Sequence, residues 1–129
     1  MKIRYLSIGA ENTKLANGST ESILIVENYG TLYATEKLLI DSQGTTRLEI
    51  RDGGKVYTPQ VGLRLGPEIL IKGNYAGLFI WDPATNEQTA VKTTNSSSAQ
   101  CLLDYSGGGS SVYYGKSKIS ELARQFKCN

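Results

Sequence analysis

Carboxylates are the main candidates for chemistry in this chain of 129 residues, because it contains no histidine. The commonest general base and triad orienter is therefore missing. Ser-His-Asp, Cys-His and zinc-hydrolase arrangements are excluded. Glu36, Asp41, Glu49, Asp52, Glu68, Asp82 and Asp104 remain. Most flank turns or alternate outward on strands, which is the pattern of solvated surface acids. A glycosidase pair needs two acids only about 5–10 Å apart in space, and no spacing here selects one. No catalytic residue is assigned, and the chain is expected not to be an enzyme. A small carboxylate hydrolase ranks third among the functional classes.

Ser110-Ser111-Val112-Tyr113-Tyr114-Gly115-Lys116-Ser117 nearly fits the phosphate-binding pattern G-x-x-x-x-G-K-[ST]. That loop works by wrapping backbone N–H groups around phosphates, with a Lys on the terminal phosphate and a hydroxyl on Mg²⁺. Ser110 stands where the first Gly belongs, and little chain follows Ser117 to build a parallel βαβ sheet. The segment reads as a Gly hinge leading to a Ser-capped helix. No cofactor and no metal site are expected.

Trp81 ends an apolar run beside Asp82-Pro83, and Tyr75 follows a Gly73-Asn74 turn. Aromatic rings beside loops can stack on sugars. Trp81 and Tyr75 are thus the candidate ligand platform of a carbohydrate-binding β-sandwich module, the second functional class.

Cys101 and Cys128 allow two readings. They are a pair of reduced thiols, as cytosolic chains usually keep, or a disulfide pinning the C-terminal helix to the strand at Cys101. The second would add about 3 kcal/mol on the chain-entropy model. With no apolar stretch approaching about 20 residues, no membrane partner is expected. The N-terminus lacks the apolar core of a signal peptide, so synthesis in the cytoplasm is expected. The net charge of +2 comes from scattered Lys and Arg, and a nucleic-acid partner is not expected.

The elements that would position these residues are short strands between turn signals. Ile23-Leu24-Ile25-Val26 is a compact apolar run rich in β-branched residues and reads as a well-buried strand. Thr46 to Arg51 and Lys55 to Thr58 alternate around Asp52-Gly53-Gly54, which predicts a β-hairpin. Val61 to Leu65, Glu68 to Lys72, Gly77 to Trp81 and Gln88 to Lys92 follow as further strands. No internal repeat is evident. Thr93 to Ala99 reads as an exposed loop, and Ser106 to Ser111 as a flexible Gly/Ser hinge. Ile119, Leu122, Ala123 and Phe126 give a C-terminal helix one apolar face.

The expected fold is mainly β: an antiparallel β-sandwich or small barrel with one short C-terminal α-helix. It is a single domain over 1–129, with a β core over 1–92. Residues 93–129 form a loop, a hinge and a helical arm. Tyr113, Tyr114, Ile119, Leu122 and Phe126 are the candidate interface by which that arm reaches a partner. The leading functional expectation is a non-enzymatic structural protein that self-associates or joins a larger assembly, such as a capsid decoration or tail component of a virus or phage particle.

Overall fold

The structure, a computed structural model, describes residues 1–8, 21–41, 45–105 and 109–129. The turn signal at Asn17-Gly18, the turn at 42–44 and residues 106–108 of the hinge lie outside them. The described chain is mainly β with one short helix, and its sheet is not closed into a barrel.

The strands are β1 (Lys2–Ile8), β2 (Glu21–Val26), β3 (Thr31–Asp41), β4 (Thr45–Arg51), β5 (Lys55–Thr58), β6 (Gln60–Arg64), β7 (Glu68–Asp82), β8 (Glu87–Asp104), β9 (Ser110–Tyr114) and β10 (Phe126–Cys128). Helix α1 spans Gly115–Ala123. The expected antiparallel arrangement is found only late in the chain, where β8 pairs with β7, β9 with β6 and β10 with β8. Everywhere else the pairing is parallel. β1 lies on β3 and β3 on β6. β2 lies on β4 and β4 on the first half of β7. The start of β3 lies on β5, and β5 on the second half of β7.

These three parallel stacks make the chain a short β-solenoid, with three turns of coil in one sense. The Asp52-Gly53 turn is real, but β4 and β5 are not its hairpin arms. It is a corner between two faces of the coil. Gly53 has φ +81° and Asp52 φ +40°, which suits such a corner as well as it suits a hairpin.

The coil exposes the repeat that the sequence concealed. Leu24, Leu48, Ile69 and Leu103 stand in one inward row. Val26, Ile50, Ile71 and Cys101 form the next. Leu32, Val56 and Leu78 form a third, on another face. Leu6, Leu38, Val61 and Tyr113 form a fourth. On the β2–β4–β7 and β3–β5–β7 stacks the period is about 21–24 residues, and the step from β1 to β3 is longer, both within the range of solenoid repeats. Each turn buries an aliphatic side chain over its predecessor, and the rows merge into one core.

The fourth turn runs backwards. β8 returns along the whole of β7, from Asp82↔Glu87 to Glu68↔Asp104, and β9 covers β6. Thr93 to Ala99, expected as a loop, belongs to β8. Helix α1 and β10 then close this end of the core, with Leu122 fully buried and Phe126 nearly so. Cys101 and Cys128 are opposed across β8 and β10 and joined as a disulfide. The arm expected to reach outward is therefore docked on its own coil. Its apolar face is inside because Leu122 and Phe126 join the core cluster and Ile119 and Ala123 pack against it.

The corner between the β2–β4–β7 face and the β3–β5–β7 face is tightly stacked. Tyr29 N–H donates to the Asp52 carbonyl at 3.2 Å and Gly53 N–H to the Asn74 carbonyl at 2.8 Å. Lys55 N–H donates to Gly30 and Gly77 N–H to Gly54. A methyl on Gly54 would stand 2.4 Å from the Val26 carbonyl oxygen and 2.9 Å from that of Arg51. Both are backbone atoms that cannot swing away. Gly54→Ala is expected to lose about 2 kcal/mol. Gly109→Ala, where nothing lies within 4 Å, is expected to be near neutral. Urea unfolding compares them, and equal midpoints would refute the packed corner.

Candidate functional site

The two ends of the coil differ. The C-terminal end is closed by the return turn, the helix and the disulfide. At the other end, β1 and β2 are each paired on one side only among the described residues. Their free edges carry unpaired ladder groups. Between them opens an apolar hollow of about 340 Å³, lined by Met1, Ile3, Leu6, Leu24, Val26 and Leu32 among others. These side chains begin the inward rows that run up the core. On the outside of β2, Ile23 is 46% exposed and Ile25 43% exposed. The run expected as a well-buried strand is thus an edge strand with an exposed outer face, because an apolar run reads the same at an edge as in the core.

The outer face above β2 carries a charge ladder. Arg47 bridges Glu49 at 3.1 Å and Glu68 at 3.0 Å. Arg51 pairs with Glu49 and reaches Glu27 at 3.6 Å. Burial pushes the Glu49 carboxyl up, but hydrogen bonds from Arg47 and Arg51 outweigh it and hold the group below the ordinary carboxylate range. The Arg47 guanidinium is raised by its hydrogen bonds, first to Glu68 and then to Glu49. These acids are consumed by arginines and work as cross-strand structure.

The β3–β5–β7 face carries an outward aromatic ladder. Tyr33, Tyr57 and Phe79 stack with ring centroids 4.6 and 4.8 Å apart. Trp81 meets Tyr33 edge-on at 4.9 Å. Burial, and secondarily Tyr33, raise the Tyr57 hydroxyl pKa. Ring faces here are turned to each other along the coil axis.

The expected ligand platform is not brought together. Trp81 is 6% exposed, and its indole N–H donates to Asn86 Oδ1 at 3.0 Å. It lines a hollow of about 440 Å³ with Pro59, Asp82, Pro83, Thr85 and Glu87. Asp82 and Glu87 are direct partners across the β7–β8 hairpin there. Tyr75 lies elsewhere, on the stacked corner, 59% exposed and with φ +60°. Among the expected interface residues, Tyr113 is buried and Tyr114 is exposed. Ile119 packs against the core that Leu122 and Phe126 enter. Gly115 opens α1 directly after β9, which is paired antiparallel to β6. The near-match to a phosphate loop therefore sits after an antiparallel strand. Among the described residues, no three His, Cys, Asp or Glu side chains cluster as a metal site, and no helix is long and apolar enough to cross a membrane.

The residue that sequence reasoning passed over is Tyr29, 77% exposed at φ +64° on the same corner as Tyr75. The available signal was its place before Gly30, matching Gly53 before Gly54 one turn later. No family model, no curated protein and no solved structure matches this chain.

Proposed function

We propose that the protein is a non-enzymatic structural component that assembles with further copies of itself through the open first turn of its coil. The carrying observation is the asymmetry of the ends. One is closed by the chain's own return turn, while at the other the described residues present two strand edges, an apolar hollow and exposed Ile23 and Ile25. Long apolar edges are templates for pairing with another chain. A copy related by a two-fold axis across this end presents its edges antiparallel. That is the geometry with which β8 already closes β7 inside the chain.

The larger object we have in mind is a virus or phage particle, the expectation that the composition favoured. The disulfide supports it, because such bonds persist on particle surfaces and rarely in a reducing cytosol.

Sedimentation velocity across a concentration series tests the reading. The wild type is expected to self-associate, and Ile25→Lys to weaken association at least about tenfold, since a charge is placed in a buried edge. Ile25 is exposed in the single chain, so the variant should fold normally. A wild type that stays monomeric at millimolar concentration, or a variant that associates equally well, would remove the proposal.

A further inference from the structure

Tyr29, Gly53 and Tyr75 occupy one row across the stacked corner. Register places Thr31 beside Lys55 and Lys55 beside Gly77, so the residues two positions earlier are neighbours as well. All three have positive φ, at +64°, +81° and +60°. Only the glycine adopts this conformation without strain. A bulky aromatic residue there is an outlier whose cost needs a reason, and such strain clusters at functional sites. Core packing supplies no reason, because the two tyrosines are 77% and 59% exposed.

The glycine between them matters. A Cβ on Gly53 would meet the Tyr29 ring at 2.4 Å, so the ring lies over the bare backbone of the next turn. Two strand spacings separate Tyr29 from Tyr75, roughly 10 Å along the coil axis. The surroundings are polar. Asn28 and Asp52 are exposed beside the row. Asn74 Oδ1 is buried with no hydrogen-bond partner. Lys55 Nζ donates to the Tyr75 carbonyl at 3.2 Å. A shallow hollow of about 270 Å³, lined by Asp52, Lys72, Ser97, Ser98 and Gln100, lies next to the corner.

We infer that this corner is a carbohydrate-binding ridge, with Tyr29 and Tyr75 as two stacking platforms for a linear neutral glycan lying along the coil axis. The apolar C–H faces of two sugar rings rest on the two phenol rings. Between them the glycan bridges from the Tyr29 ring, which itself covers Gly53, to the Tyr75 ring. The polar groups around Asp52, Lys72 and Ser97 receive the hydroxyls. The core of an obligate protein contact is more apolar than the general surface, whereas the row offers two isolated rings in a polar collar. The site is separate from the β1 and β2 edges, so it does not depend on self-association.

Isothermal titration of the full chain with cellohexaose, chitohexaose and laminarihexaose tests the inference. At least one is expected to bind saturably. Tyr29→Gly and Tyr75→Gly are each expected to weaken that binding about three- to tenfold, while melting temperature stays level or rises because the φ strain is relieved. Tyr5→Ala, an exposed tyrosine off the ridge, should leave binding unchanged. No saturable binding to any of the three at millimolar concentration overturns the inference. So does equal binding by the glycine variants. A fall in melting temperature in both glycine variants assigns the tyrosines to stability, and a change in sedimentation alone assigns them to a protein contact.

Discussion

Leu48→Ala should lower unfolding free energy by about 3–5 kcal/mol, the upper range for truncating a buried leucine. Leu48 is fully buried in the middle turn of the coil. Leu24 stands below it and Ile69 above it in the same inward row. Both flanking strands are fixed by parallel ladders to β4, so the backbone cannot close around the missing methyls. The cavity then persists, and the cost includes both lost transfer energy and lost contacts. For a domain of this size the loss amounts to roughly 10–15 °C in melting temperature. Leu24→Ala provides the comparison. Its row is the same, but it lies in the open first turn and is only partly buried, so its loss should be clearly smaller. A Leu48→Ala protein within 1 kcal/mol of wild type would contradict the stacked rows.

That row also shows how far the sequence could be read. Apolar runs identified β2, β4, β5 and β7 as strands, because period-two burial leaves its mark on single segments. Asp52-Gly53 was legible as a turn. What strands do with one another was not, because the same positive φ serves a hairpin and a solenoid corner. The repeat was hidden for a physical reason. A solenoid row asks only for an aliphatic side chain, so Leu24, Leu48 and Ile69 are equivalent without being identical. Spacing also drifts, since corners absorb insertions. Thr93 to Ala99 lacked any apolar signal, yet it lies within β8: Thr93 and Asn95 pair with Gly77 and Asn74, and the register slips across Ser96 to Ala99 before Gln100 pairs with Lys72.

The candidate sites divide in the same way. Residue type flagged Tyr75 and Trp81, but only the fold shows that the Trp81 indole is covered and satisfied by Asn86. Tyr29 gained its partner from the register of the coil. The apolar stripe of Ile119, Leu122 and Phe126 was legible, and its destination was not. An amphipathic face states that something must be covered, without saying whose surface it is.

Breaking the Cys101–Cys128 disulfide is the second large expected effect, about 3 kcal/mol for a loop of this size on the chain-entropy model. The bond spans 27 positions and encloses β9 and α1. β10 is only three residues long. The nine residues of α1 begin without a side-chain cap and have no acidic residue in the first turn. A helix that short is marginal by itself. Leu122 and Phe126 hold it to the core, and the disulfide fixes the strand that follows. A Cys101→Ser, Cys128→Ser protein should therefore melt roughly 10 °C lower. Amides of α1 and β10 should exchange well before those of β4 and β7, whose ladders lie mid-coil. Oxidised wild type treated with dithiothreitol should approach the same behaviour, while the double variant ignores the reagent. Two labelled free thiols in native oxidised protein, or a melting temperature indifferent to reduction, would show that core packing alone holds the cap. The effect matters for assembly as well. Loosening the cap uncovers the edge of β8 beside Leu102 and Leu103, and gives the coil a second open end. A reduced sample is then expected to form larger species than end-to-end pairs, whereas oxidised protein stops at the dimer that one open end permits.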